Sequence, residues 1–102
     1  MSKRQQLTAF IYDKRGRVLS IGQNDYLKTH PRQKMYAEKV GEPYKEFLHA
    51  EIAAIIKCAD LKKAHRISIF RYNQDGTPAL AKPCRVCQSA IEAAGIKIVE
   101  HT

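Results

Sequence analysis

The sequence predicts an α/β fold, a mixed four-stranded sheet with helices packed on it, in a single domain spanning residues 1–102. Three observations predict it. Short β-branched runs and helical apolar stripes follow one another in the order β-β-α-β-α-β. The first two strands are separated only by DKRGR, so they form an antiparallel hairpin. The later strand–helix–strand–helix–strand succession requires right-handed crossovers and a parallel portion of the sheet. A chain of 102 residues can bury one modest core.

Taken in order, residues 5–12 (QQLTAFIY) are apolar and β-prone, and residues 17–22 (RVLSIG) return as the second strand. Residues 23–46 are polar, basic and rich in Tyr, and they are broken by Pro31, Gly41 and Pro43. They read as a long loop with one helical turn near 33–39, a length that often accompanies function. Residues 48–58 (LHAEIAAIIKC) form a helix with Leu48, Ile52, Ile55 and Ile56 near one face. RISIFRY at 66–72 alternates as a strand, and an Asp-Gly turn follows in NQDGTPALAK. Residues 84–94 form the next helix, with Val86, Ala90, Ile91 and Ala94 on one face and Gly95 placed to end it. IKIVEH at 96–101 is the last strand.

The balance of 18 Lys+Arg against 10 Asp+Glu gives a net charge of +8. That excess favours nucleotides, nucleic acid or phosphorylated substrates, or else serves only solubility, since the cations are scattered along the chain. No apolar run approaches the roughly 18 residues of a membrane helix. The N-terminus lacks the apolar core and cleavage site of a secretion signal, so a cytoplasmic location without a membrane partner is expected. Three cysteines, Cys58, Cys84 and Cys87, argue against a disulfide framework and point to metal or redox chemistry.

AKPCRVCQSAI, residues 81–91, places two cysteines three positions apart at a helix start, directly after Pro83. A redox pair, half of a structural zinc site and part of a catalytic zinc site are all open to it. A redox reading leaves LHAEIAA unexplained, and a structural site needs a fourth ligand for which Cys58 sits at the wrong end of its helix. Of four histidines, only His49 opens a helix, beside an acid at Glu51. Cys58 is expected as a small buried apolar residue, and His30, His65 and His101 as surface residues.

His-Ala-Glu at 49–51 followed by Pro-Cys-Arg-Val-Cys at 83–87 resembles the zinc-dependent cytidine deaminase superfamily, whose signature is H-x-E then P-C-x-x-C. That superfamily includes deaminases of free nucleotides, of adenosine in tRNA and of cytosine in polynucleotides. The resemblance covers about residues 6–100 and implies a three-layer α-β-α arrangement of the cytidine deaminase type. It implies Zn2+ held by His49, Cys84 and Cys87, with a fourth position for water. It implies that Glu51, which is not a ligand, moves protons between that water, the ring nitrogen and the departing amine.

Substrate contacts follow from the same resemblance. Asn24, just after the second strand, is the candidate for the sugar, or merely caps a turn. The backbone N–H of Ala50 is the candidate for the pyrimidine carbonyl. Lys82 stands where the family often has Ser, Thr or Glu, and it meets a substrate phosphate or is simply solvated. Tyr26, Tyr36, Tyr44 and Phe47 are candidates to stack on a base, with Phe47 and at least one Tyr expected in the core.

The implied function is conversion of cytosine to uracil in a nucleoside or nucleotide such as deoxycytidine or dCMP. The alternatives are a deaminase of cytosine or adenine within single-stranded DNA or RNA, and a non-catalytic zinc-binding nucleic-acid module. Nothing follows the 96–101 strand where larger members continue, so the fold is expected to be truncated at its C-terminus, with that strand at the sheet edge. Lys97 and Glu100 are expected to guard the edge, or a second subunit to cover it in a homo-oligomer.

Overall fold

The computed structural model describes residues 6–25, 27–45 and 47–102. The strands are β1 (Leu7–Tyr12), β2 (Val18–Gln23), β3 (Arg66–Arg71) and β4 (Ile98–His101). The helices are α1 (Pro31–Lys39), α2 (Ala50–Lys57) and α3 (Arg85–Ala93), with a short 3₁₀ turn at Leu61–Lys63.

The expected hairpin is present. Between β1 and β2 the Asp13 carboxylate accepts the backbone N–H groups of Arg15 and Arg17, each at 2.9 Å, and closes the turn. The β1–β2 pairing slips by one residue between Ile11 and Tyr12, a bulge beside this turn.

Strand order is β2-β1-β3-β4, with β1 antiparallel to both neighbours and β3 parallel to β4. The parallel portion is therefore split. β2 runs in the direction of β3 and β4 but is separated from β3 by β1. The crossovers β2–α2–β3 and β3–α3–β4 then start at the same end of the sheet, and the N-termini of α2 and α3 meet there. β4 lies at the edge as expected. Its Glu100 is engaged by the Arg66 guanidinium of β3 at 3.1 Å, and Thr102, just beyond it, accepts the Ala81 N–H at its carbonyl.

The core lies between one face of the sheet and the helices, with α2 against the strands and α1 packed on α3. Ala9, Ile11, Ile67 and Ile69 are fully buried on the helix side, beneath Ala37 of α1, Ile52 of α2 and Val86, Ala90 and Ile91 of α3. The mixed four-stranded sheet with three helices is the α/β arrangement expected of the cytidine deaminase type; among the described residues the helices gather on one face of the sheet and none covers the other. The right-handed crossovers explain this, since both step across the sheet the same way and place their helices on the same side.

Two glycines are required where they stand. Gly95, at φ +76°, ends α3 as the sequence predicts: its N–H donates to Glu92 and that of Ile96 to Ile91. Gly22 is needed for close approach, because a Cβ there would overlap the backbone of Ala50 and Ala54 in α2. Ser20 fastens the same contact, its hydroxyl donating to the Ala54 carbonyl at 2.8 Å.

Residues 31–39 form a nine-residue helix where the sequence predicts a long loop with one turn. His30 caps it, its Nδ1 accepting the Arg32 N–H at 3.1 Å, and Pro31 occupies the first position, where a missing N–H costs nothing. The helix has no wide apolar stripe. It is held instead by buried Ala37 and by Gln33, a fully buried polar side chain.

Candidate metal centre

The two motifs meet where α2 and α3 begin. His49 is the N-cap of α2 and Cys84 the N-cap of α3, both in extended backbone geometry. Neither side chain caps its own helix, so both are available to a common point beyond the helix ends. Cys87 stands one turn into α3, three residues after Cys84 and on the same side. The ligand atoms of His49, Cys84 and Cys87 all lie within 4.8 Å of one another. His49 Nδ1 is 3.2 Å from Cys87 Sγ and 3.5 Å from Cys84 Sγ. A tetrahedral zinc with ordinary N and S bond lengths requires such edges to be about 3.6 Å. One imidazole nitrogen and two sulfurs are a donor set suited to zinc, and three ligands leave a fourth position for water.

Hydrogen bonding and burial divide charge unevenly within this group. Its hydrogen bond from Cys87 and the neighbouring His49 lower the Cys84 thiol to about 3. Cys87 is pushed up, by its hydrogen bond to Cys84 and then by burial. The Cys84 sulfur raises His49 above the ordinary imidazole value. Glu51, in the first turn of α2 and 4 % exposed, is raised by burial, so its carboxyl holds a proton more readily than a surface acid.

A cavity of about 300 Å³ opens onto this centre, lined by His49, Glu51, Cys84, Asn24, Ala50 and Lys82 among others. Of the candidate metal, proton-transfer and polar substrate residues of the sequence, all but the fully buried Cys87 line it directly. Asn24 Oδ1 accepts the Leu7 N–H and the Gln6 side-chain N–H, both at 2.9 Å, which fixes the carboxamide against β1. Lys82 is exposed at the rim.

Among the aromatic candidates, Phe47 is 45 % exposed and lines the cavity, contrary to its expected place in the core. An isolated antiparallel bridge to Thr29 ties its backbone beside the cavity. Tyr36 packs against the core and Tyr44 is 71 % exposed. Tyr26 lies outside the described residues. Cys58 is buried in the core as expected, and His65 and His101 stand away from the centre.

One contributor escapes sequence reasoning. Gln33 of α1 accepts the His49 backbone N–H through Oε1 at 3.1 Å and donates to the Lys45 carbonyl through Nε2 at 2.9 Å. It thus fixes the residue that starts α2 and carries the imidazole. Its only sequence signal is an amide side chain in a polar stretch.

The family model for the cytidine and deoxycytidylate deaminase zinc-binding region matches residues 2–101. No curated protein matches the chain.

Proposed function

The chain belongs to the family of the cytidine and deoxycytidylate deaminase zinc-binding region, and from that premise we propose that it is a hydrolytic deaminase converting cytosine to uracil and ammonia in a nucleoside or nucleotide. The observation that carries this reading is the convergence of His49, Cys84 and Cys87 on a cavity whose wall includes the buried Glu51.

His49, Cys84 and Cys87 would hold the zinc, which when bound supplies Lewis-acid activation of water. Glu51 supplies the proton traffic. Its carboxylate takes a proton from the attacking water and delivers it to the ring nitrogen beside C4, then takes the second proton from the hydroxyl now on C4 and passes it to the amine as the C4–N bond breaks. The raised Glu51 carboxyl suits this double role, because a group that protonates readily can both accept and return. The Ala50 N–H, at the first position of α2, has no acceptor within the helix, and Ala50 lines the cavity, where the pyrimidine carbonyl can receive it. Asn24, clamped to β1, offers a fixed rim to the sugar, and Lys82 offers a cation to a phosphate.

The cavity is at the small end of ligand pockets, which suits one base with its sugar. A base presented within a single strand is a second reading. The exposed Phe47 at the mouth favours it, since an aromatic ring there can stack on a neighbouring base. A cytoplasmic homo-oligomer also belongs to the proposal, a second copy covering the open edge of β4. No described helix is long and apolar enough to cross a membrane.

The test is ammonia release from deoxycytidine, dCMP, dCTP and cytosine-containing oligonucleotides, with Glu51→Gln alongside. The wild type should turn over at least one of these. Glu51→Gln should keep one zinc per chain and lose about a thousandfold in rate. Undiminished turnover in Glu51→Gln would refute the mechanism.

A further inference from the structure

The uncovered face of the sheet is aromatic and ends in a basic basin. By strand alternation Thr8, Phe10 and Tyr12 of β1, and Ser68 and Phe70 of β3, point away from the helices. Phe10 meets Phe70 edge-on at 5.6 Å between ring centres. Phe10 lies nearly parallel to Tyr12 at 6.2 Å, and Phe70 to Tyr72 at 6.5 Å. A groove of about 560 Å³ runs among Gln6, Thr8, Phe10, Phe70 and Tyr72, and Tyr72 is 51 % exposed. At one end Gln6 touches Asn24 on the rim of the metal-centre cavity.

At the other end Arg66 sits 4.5 Å above the Tyr12 ring, and the chain passes into a basin of about 440 Å³. Lys14, Arg15, Lys62, Lys63 and Lys97 line it, drawn from three separate segments. Backbone bonds lock those segments together: His65 N–H to Tyr12 at 2.9 Å and Lys97 N–H to His65 at 3.1 Å. Of the carboxylates in the flanking segments, Asp13 is engaged by Arg17 at 3.0 Å, Glu100 by Arg66 at 3.1 Å, and Asp60 accepts the Lys62 backbone N–H at 3.2 Å.

We propose that this aromatic face and the basic basin at its end form a track for single-stranded nucleic acid, with bases stacked on the rings and phosphates held by the basin lysines. Charge decides between occupants. A second copy would bring another net +8 against the basin, whereas a phosphodiester chain is drawn to it. Only a polyanion that also carries π-faces along its length satisfies both halves of the surface. The lead from this track to the metal-centre cavity rests on the deaminase reading, which would then take a base within a strand. Binding to the track does not depend on it.

The experiment is fluorescence polarisation of a labelled oligothymidylate of roughly a dozen nucleotides, within the size range of single-strand sites. Salt is varied from about 50 to about 200 mM. Thymine has no exocyclic amine, so binding is read without turnover, and loss of cytosine deamination with binding intact would count against the deaminase reading alone. The triple variant Lys62→Ala/Lys63→Ala/Lys97→Ala should flatten the slope of log K against log salt by about 2. Tyr72→Ala should weaken binding about tenfold or more with its slope unchanged. Lys34→Ala/Lys39→Ala, on the exposed side of α1, should behave as wild type. All the substituted residues are exposed, and thermal melts would show the fold retained. Wild-type affinity and slope in both the triple and the Tyr72 variants would overturn the proposal. So would binding of a nucleoside triphosphate without binding of the oligothymidylate, or light scattering in which Tyr72→Ala turns an oligomer into a monomer without affecting oligothymidylate binding.

Discussion

Replacing Gln33 by Met tests whether α1 positions the metal centre or merely lies beside it. Methionine has nearly the same length and volume, so the substitution removes two hydrogen bonds and leaves little cavity. The bonds lost are those to the His49 N–H at 3.1 Å and the Lys45 carbonyl at 2.9 Å. Leaving a buried backbone group unpaired costs about 1–3 kcal/mol. Both partners here are only part-buried, so the lower figure applies to each, about 2 kcal/mol in all. For a chain of this size that corresponds to a fall in Tm of about 8–16 °C. The metal should respond as well. Groups that orient a ligand typically control metal affinity by about 10–100-fold, and Gln33 orients the residue that carries the imidazole. Urea unfolding gives the first quantity, and competition with a chromophoric zinc chelator gives the second. A stability loss below about 0.5 kcal/mol with zinc Kd unchanged would refute the positioning role, since surface substitutions produce no more than that.

Two further expectations come from the frame of the site. Gly22→Ala places a methyl group against the backbone of Ala50 and Ala54, which cannot swing aside as a side chain would. It should cost about 3 kcal/mol and reduce zinc content, read by unfolding and metal analysis, while Gly16→Ala, in open space but strained by its φ of +82°, should lose stability at its turn and keep its zinc content. The Asp13 turn should loosen in acid. The Arg17 backbone N–H, together with the Arg17 side chain and the Arg15 N–H, holds the Asp13 carboxyl below its ordinary value of 3.8. Its contribution is therefore complete above that value and disappears as pH falls through the lowered one. The protection of the Arg15 and Arg17 amides, measured relative to their intrinsic exchange rates, should fall in that window, and Asp13→Asn should abolish that change in protection.

What was legible in the sequence was local. The zinc-suited group of His49, Cys84 and Cys87 is legible through the resemblance of HAE and PCRVC to a family signature, and each motif lies within one helix start. Gly95 was legible because a helix terminus selects glycine through its own backbone geometry. Helix α1 was not, because its support comes from elsewhere: Gln33 bonds to Lys45 and His49, which lie 12 and 16 residues away. Phe47 was misplaced for the opposite reason. Its apolar character suggested the core, but its backbone is tied to Thr29 at the mouth of the cavity. The basin was invisible because Lys14, Lys62 and Lys97 are scattered in the chain and meet only through the sheet topology. The layering followed from crossover handedness, which the element order contained.

The way the two crossovers share the metal centre also makes the domain divisible. His49 and Glu51 precede the exposed turn at Asn73–Thr77, and Cys84 and Cys87 follow it. A chain cut in that turn yields one piece with the His49 imidazole and the Glu51 carboxyl and another with the Cys84 and Cys87 sulfurs. Neither piece alone contains the His49–Cys84–Cys87 cluster, so that three-ligand centre would form only on their reunion. Occupancy of the centre is then a signal of tertiary assembly, and the turn at Gly76 is the place where such a two-piece reporter could be opened.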